Sequence, residues 1–518
     1  MRYFNTAGPC NSMEHYMIDA SIRLQGVMQL INRKQYFVIH AARQSGKTTC
    51  LWDLTRQLNG GEQYHALYCS LESVQNIIEP KDGIPAIISC MKDSFFYSGI
   101  PQGDKFAQNA DLTDYISVLK VELSRFCALL NKPLVIFFDE ADCLSEGTLI
   151  LFLRQLRDGH NTRPYRPFPH SVALVGMRNI RDYKAKIRPD SESLGSASPF
   201  NIVTESLTLE NFTPEEVASL YRQHTGETGQ KFEEDATERA WEQTQGQPWL
   251  VNAIAREAVD KILQSDYTRP VTVELVNEAI QTIIINRPTH IDSLLERLKE
   301  ARVRRVIEPV ILGNGFIDRE SDDFLYTRDL GLIRTVNSQI EPANPIYAEV
   351  IIRKLSSFTQ EELKTPKYPY QMPRYLKDGR IDMDFLMRDF QQFWRENSDI
   401  WIEKYDYKEA APHLILMAFL QRVVNGGGQI IREMAAGTGR LDLCLTYENR
   451  KYPIELKIRH GAKYLEEGIE QTARYMDACG CSEGWLVVFD HRTEVKWEDK
   501  IYTKKETVDG KTITVTGA

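Results

Sequence analysis

Short, wholly apolar runs alternate with stretches of helical periodicity through the N-terminal part of the chain. Tyr36-Phe37-Val38-Ile39-His40, His65-Ala66-Leu67-Tyr68-Cys69, Leu134 to Phe138 and Val172-Ala173-Leu174-Val175 are each short enough for one strand. Runs of this kind with helices between them predict a parallel sheet covered on both faces. Residues 21–33 predict a helix leading into the first run. From Thr213-Pro214-Glu215-Glu216, a helix-start signal, the periodicity stays helical to about residue 290. Residues 291–356 predict a small helical unit with a hairpin made of Phe324-Leu325-Tyr326 and Leu332-Ile333-Arg334, a spacing that suits a winged helix. The stretch 357–380, rich in Lys, Pro and Tyr, reads as a linker. Mixed α/β patterning returns over 381–495, and 496–518 reads as a polar tail with a terminal hairpin across Asp509-Gly510. The expected organisation is therefore a core over 1–205, a helical lid over 206–290, a winged helix over 291–356, the linker, a second α/β domain over 381–495 and the tail.

Composition narrows the function. A chain of 518 residues with 42% hydrophobic and 26% charged residues has room for about three domains with their own cores. The start, Met1-Arg2-Tyr3-Phe4-Asn5-Thr6, lacks an apolar signal region, and no apolar run is long enough to cross a bilayer. The nine scattered cysteines suit reduced thiols better than a disulfide framework or a zinc site, so the expectation is a cytoplasmic protein with no membrane partner. A net charge of −9 excludes a protein whose whole surface coats nucleic acid; any such contact must be a local patch or groove.

Two catalytic signatures stand out against this background. The first is Ala41-Ala42-Arg43-Gln44-Ser45-Gly46-Lys47-Thr48-Thr49, placed between a strand and a helix. Loop N–H groups and the helix N-terminus would face phosphates, Lys47 would neutralise β/γ oxygens, and Thr48 would ligate Mg²⁺. The usual first glycine is Ala41, which fits if its backbone is not left-handed. Asp139 and Glu140 follow the apolar run 134–138. Asp139 is expected in the Mg²⁺ shell, with Glu140 polarising the attacking water.

This loop, the Phe-Phe-Asp-Glu strand end and Thr244-Gln245-Gly246-Gln247-Pro248 together resemble the AAA+/STAND-type ATPases. The resemblance implies ATP as the nucleotide and places Gly246 and Pro248 near its adenine side. It implies a γ-phosphate sensor at Gly176-Met177-Arg178-Asn179, either Arg178 or Asn179. It also implies a homo-oligomer on nucleotide binding, completed by a neighbour's arginine; Arg154, Arg157 and Arg163 are the arginines that could serve.

The second signature lies near the C-terminus. Asp442 follows a glycine-rich turn, Glu455 and Lys457 lie two apart on the next strand, and Gln471 and Tyr475 lie four apart on a following helix. Spacing by two on a strand and by four on a helix puts each pair on one face. Carboxylates that hold a divalent metal, plus one cation, are what phosphodiester hydrolysis needs. Asp, then Glu-x-Lys, then Gln-x-x-x-Tyr resembles the PD-(D/E)xK nucleases, with Leu441 in place of the usual proline. By that likeness Glu409 is the extra acidic ligand, with Glu433 as an alternative. Glu-x-Lys alone would be no more than a solvated strand face; the full order and spacing carry the reading.

The expected fold class is thus an α/β P-loop core with helical lid and winged helix, followed by a separate restriction-endonuclease-like α/β domain. The expected function is an ATPase whose nucleotide state controls a Mg²⁺-dependent nuclease on nucleic acid, DNA foremost, in defence against foreign DNA or mobile elements. Two alternatives stay open: an ATP-dependent switch that binds nucleic acid without cutting it, and an ATP-driven remodeller of a protein partner. Arg302, Arg304 and Arg305 read as a solvated helix face among Glu296, Glu300 and Glu308 before a phosphate patch, and Phe390, Phe393, Trp394 and Trp401 as packing before base stacking.

Overall fold

Helices and strands alternate through the first unit, residues Met1–His290 with Leu325–Ile333, of this computed structural model. The structure describes residues 1–176, 203–312, 318–362, 375–404, 416–417, 419–420, 429–433, 442–448, 450–459, 464–490, 492 and 495–518. The helix expected over 21–33 is two, α1 (Ala20–Arg23) and α2 (Val27–Asn32), because Gly26 turns the chain with φ +88°. Then follow β1 (Tyr36–His40), α3 (Lys47–Gly60), β2 (His65–Ser70), α4 (Pro80–Tyr97), α5 (Val118–Cys127), β3 (Leu134–Asp139), α6 (Glu146–Thr162), β4 (Ser171–Gly176) and β5 (Val203–Thr208). The five strands pair in parallel in the order β2-β3-β4-β1-β5. β5 carries the sheet past the boundary expected at 205. Its Val203-Thr204-Glu205 start is too polar to read as a buried strand.

Both faces of this sheet are covered, which is why β1 to β4 are apolar nearly throughout. Val38, Leu67, Ile136, Phe138 and Leu174 pack with α4, α5 and α6, whereas their neighbours Phe37, Ala66, Val135, Phe137 and Ala173 pack with α1, α2 and α3. The lid holds α7 (Pro214–Thr228), α8 (Glu234–Thr244), α9 (Pro248–Arg256) and α10 (Val273–Asn286). Thr213 and Glu216 form a reciprocal capping box at the start of α7, with Pro214 in its first turn.

The second unit comprises Ile291–Phe324 and Arg334–Ala518. After α11 (Thr289–Glu296) come α12 (Ala301–Leu312), α13 (Asp322–Asp329), a hairpin of β6 (Ile333–Val336) and β7 (Gln339–Pro342), and α14 (Pro345–Glu362). Phe324-Leu325-Tyr326, expected as a strand, is therefore helical. The Ser321 hydroxyl accepts the Phe324 N–H at 3.3 Å, and Asp322 and Asp323 fill the acidic first turn. Arg302 and Arg305 pair with Asp323, as a solvated helix face would. The expected linker contains the end of α14 and a short hairpin, β8 (Leu376–Lys377) with β9 (Arg380–Ile381).

Next come α15 (Met383–Lys404), β10 (Gln429–Glu433), β11 (Asp442–Tyr447), β12 (Arg450–Ile458), α16 (Tyr464–Cys479), β13 (Glu483–Phe489), α17 (Trp497–Lys500), β14 (Tyr502–Val508) and β15 (Lys511–Gly517). They build a mixed sheet in the order β10-β11-β12-β13-β15-β14. β12, α16 and β13 form a parallel crossover. Phe390, Phe393 and Trp394 pack against Phe419 and Phe489 in the core, confirming packing over stacking for these three. The side chain of Trp401 lies outside the described residues.

The polar tail is the largest correction. β15 pairs in parallel with β13 and buries Ile513 and Val515, while β14 alternates exposed and half-buried positions on the edge. Asp509 and Gly510 both have positive φ, which gives the predicted two-residue turn. Replacing the fully buried Val515 by Asp would bury an uncompensated charge between β13 and β14. It should cost about 3 kcal/mol or more, read as an early proteolytic or thermal transition of the second unit. Lys504→Asp on the edge strand should leave that transition in place.

Candidate functional site

The carboxyl ends of β1 and β3 meet at the loop 41–49, where open parallel sheets bind ligands. Ala41 has no positive φ, so alanine fits there; the left-handed positions are Gln44 (φ 60°) and Gly46 (φ 84°). A Cβ on Gly46 would stand 3.3 Å from Arg23 Nη1. Lys47 opens α3, is buried, and donates through Nζ to the carbonyls of Ala41 (2.8 Å) and Ala42 (3.1 Å). Its ammonium thus already sits inside the loop's own ring of carbonyls. Burial pulls its pKa down, against the opposing charges of Glu140, Asp139 and Asp142.

Thr48 Oγ1 donates to Asp139 Oδ2 at 2.7 Å, Tyr68 Oη donates to the same oxygen at 3.0 Å, and the Glu140 N–H takes Asp139 Oδ1 at 3.0 Å. Asp139 is only 1% exposed, so these donors replace its hydration. Glu140 follows in the left-handed region at φ 55°, which turns the chain sharply after the strand. Burial, then the neighbouring Asp142, pushes its carboxyl above the ordinary carboxylate range, while Lys47 pulls the other way. Thr49 does something else: its hydroxyl accepts the Cys10 N–H at 2.9 Å and fastens the N-terminal segment to α3.

The turn Gly246-Gln247-Pro248 comes to this loop through its middle residue. Gly246 has φ 71°, and a Cβ there would fall 1.8 Å from the Phe212 carbonyl oxygen, so only glycine fits. Pro248 starts α9, and Gln247 both caps it, through Oε1 to the Leu250 N–H, and donates Nε2 to the Gln44 carbonyl at 3.2 Å. Arg23 ties the loop from the other side, reaching the Ser45 carbonyl at 3.1 Å and the Glu210 carbonyl, with its guanidinium over the Phe212 ring. Gln247, Arg23 and Tyr68 escape a reading of the sequence. Gln247 is signalled only by lying between Gly246 and Pro248, and the other two carry no motif. Among the arginines that could complete a neighbour's site, Arg154 is exposed on α6, whereas Arg163 bonds the carbonyls of Lys34 and His170. Arg178 and Asn179 lie outside the described residues.

The second signature is judged within its own unit. Glu455 and Lys457 lie on β12 in register with Leu486 and Val488 of β13, under α16. Both are buried, at 2% and 3% exposure, with Lys457 Nζ 3.6 Å from Glu455 Oε1. Lys457 also donates to Gln471 Oε1. Glu455 Oε2 is buried and has no partner among the described residues. Tyr475 is buried one turn beyond Gln471 on α16. β11 and β12 are antiparallel, their pairing ending at Leu443 opposite Ile454, so Asp442 and Glu455 are each the next residue beyond the last paired position. Glu433 of β10 is opposite Asp442 on β11. The side chains of Asp442 and Glu433, and all of Glu409, lie outside the described residues. Among the described residues no group of three or more His, Cys, Asp or Glu stands together as a metal cage, and no helix is long and apolar enough to cross a membrane.

No curated protein matches the chain in sequence. Residues 388–493 match a family described as a domain of unknown function (DUF8371). The structure is similar to a Walker-type ATPase of Pyrococcus abyssi, with 14% identity over 67% of this chain and 99% of that one, at a TM-score of 0.46. It is similar also to the RuvB Holliday junction branch migration motor of Thermotoga maritima (12% identity, 62% and 89% covered, TM-score 0.34). A further similar structure is the ORC1 protein of Aeropyrum pernix in complex with DNA (15% identity, 68% and 94% covered, TM-score 0.34). Residues 105–352 match the AAA-like domain family, a span that opens after the loop 41–49 and includes Asp139, Glu140 and the lid.

Proposed function

We propose that this chain hydrolyses ATP and that its nucleotide state controls a Mg²⁺-dependent nuclease in the second unit, acting on nucleic acid. The observation that carries the first half is the 2.7 Å bond between Thr48 and Asp139, with Glu140 beside it and Lys47 within the loop. The donors fit Mg²⁺, since a hydroxyl and a carboxylate are hard oxygen ligands and a nucleotide's phosphates supply the rest. Bound there by Thr48 with Asp139 behind it, Mg²⁺ would neutralise charge on the β and γ oxygens. Lys47 exchanges its hold on the Ala41 and Ala42 carbonyls for phosphate oxygens. Glu140 accepts a proton from the attacking water, a task that a raised carboxyl pKa suits.

The second half is supported by a buried Glu455 with an oxygen unpartnered among the described residues, beside Lys457 and Gln471, and by Asp442 lying one residue past the end of the β11–β12 pairing. Asp442 and Glu455 would hold the divalent cation. Lys457 would position and neutralise the attacked phosphate, and Gln471 keeps its ammonium in place. A defence role against foreign DNA or mobile elements fits an ATP-gated nuclease and belongs to the same proposal.

Lys47→Ala should weaken ATP binding roughly 10- to 100-fold, the worth of a lost charged contact. Glu140→Gln should bind ATP normally and hydrolyse it about 10²- to 10⁴-fold more slowly. Because Glu140 is shifted upward, wild-type hydrolysis should climb with pH through that raised value. The Gln variant should lack this limb, and a wild-type rate in that variant would remove Glu140 from the chemistry.

Nucleic-acid cleavage should need divalent metal and fail in Asp442→Ala and Glu455→Ala with weakened metal binding. In Lys457→Ala, rate should fall about 10²- to 10³-fold with metal binding kept. Plasmid, linear DNA and RNA with Mg²⁺ or Mn²⁺, each with and without ATP, are the substrates to test. Tight binding without cutting would instead support the ATP-dependent switch.

ATP should also drive assembly into a homo-oligomer in which an arginine such as Arg154 completes a neighbour's site. Light scattering should show a larger mass with a slowly hydrolysed analogue. An unchanged monomer mass in every nucleotide state would leave an isolated switch.

A further inference from the structure

Tyr68 belongs to neither motif, yet its hydroxyl reaches the same carboxylate oxygen as Thr48. It lies on β2 opposite Phe137 of β3, with Ser70 opposite Asp139, so its phenol reaches one strand sideways and two residues forward. Asp139 Oδ2 accepts Thr48 Oγ1 at 2.7 Å and Tyr68 Oη at 3.0 Å, while Oδ1 is held by the Glu140 N–H. Trp52, one turn after Thr48 on α3, sets its ring edge-on to the half-buried Tyr68 at 5.9 Å and 86°. Four side chains thus close a ring: Thr48 and Trp52 from α3, Tyr68 from β2 and Asp139 from β3.

A carboxylate at a strand end turns about two side-chain bonds, and one donor alone does not fix it. Thr48 is the partner whose oxygen must also serve the cation. Tyr68 comes from a different strand and has no second task, which makes it the independent anchor. We propose that Tyr68 is a positioning residue of the ATPase site, holding Asp139 where it receives the Thr48 hydroxyl and so setting the site's affinity for Mg²⁺ with ATP. This rests on the P-loop ATPase reading and deepens it. Removing the hydroxyl leaves Asp139 still bonded to Thr48 and the Glu140 N–H, and a phenylalanine ring still fills the space under Trp52, so the fold should tolerate the change.

The test uses the full chain and a fluorescent, slowly hydrolysed ATP analogue, with anisotropy read in EDTA and across a Mg²⁺ series. Wild type should tighten as Mg²⁺ rises. Tyr68→Phe should bind equally in EDTA but require about tenfold more Mg²⁺ for the same tightening, the usual cost of losing an outer-shell partner. Trp52→Leu, which keeps the hydroxyl but removes the ring packed edge-on against it, should shift the Mg²⁺ curve by a smaller amount, and it serves as the arbiter if Tyr68→Phe proves unfolded by its thermal melt. A Mg²⁺ curve that superimposes on wild type in Tyr68→Phe, or in that arbiter where Tyr68→Phe is unfolded, overturns the proposal alone. A wild type whose nucleotide binding ignores Mg²⁺ brings down the ATPase reading and the proposal with it.

Discussion

The bond from Thr48 Oγ1 to Asp139 Oδ2 joins the first turn of α3 to the carboxyl end of β3, two strands away from the strand that feeds α3. A carboxylate as buried as Asp139 is costly unless donors replace its water. Here they come from three separate segments: the helix after β1, the neighbouring strand β2, and the backbone just past β3. All must be in parallel register for the donors to converge. The apolar strands that fill both faces of the sheet therefore also fix where a charged group can be buried safely, and the site follows from that.

From this point the contacts run outward to the lid. Gln247 holds the Gln44 carbonyl, Arg23 holds the Ser45 carbonyl and the Glu210 carbonyl, and Cys10 holds the Thr49 hydroxyl. The same N-terminal segment receives the Trp249 indole N–H at the Thr6 carbonyl, 2.8 Å away, and the Arg256 guanidinium at the Thr6 hydroxyl. Loop 41–49 is thus bonded to the lid both directly and through residues 6–10. A shift of the loop carbonyls is felt at the start of α9 because Gln247 is also that helix's cap. Coupling of this kind needs no long wire, only short bonds between stiff elements.

Signals that are local in sequence were legible. Loop 41–49, the strand ending in Asp139, the capped start of α7 and the turn at Asp509-Gly510 each depend on a few adjacent residues. What escaped depends on neighbours distant in the chain. β5 and β15 are strands because a buried sheet edge accepts them, though Thr204, Glu205 and Thr512 give their runs a polar cast. Phe324-Leu325-Tyr326 has strand composition, but its Ser-Asp-Asp start decides for helix. Tyr68 and Arg23 act through one hydroxyl and one guanidinium whose partners lie 71 and 187 residues away, the latter being Glu210. No pattern within a window could reveal them.

The second unit shows the reverse relation between local rule and function. On β12, Ile454, Leu456 and Ile458 face the core beneath α15, next to Trp485, Val487 and Phe489 of β13. Their alternates Glu455 and Lys457 share a row with Leu486 and Val488 under α16, where apolar residues would pack better. Burying each ion costs several kcal/mol after relaxation, and a loose 3.6 Å pair returns only part of it. A close approach by Gly468, where a Cβ would meet Lys457 Cγ at 3.0 Å, lets α16 settle over the lysine. Glu455 Oε2 adds to the cost of burial, since it is buried with no donor among the described residues. Glu455 and Lys457 thus break the local rule that a buried strand face is apolar, and each offsets only part of the other's desolvation.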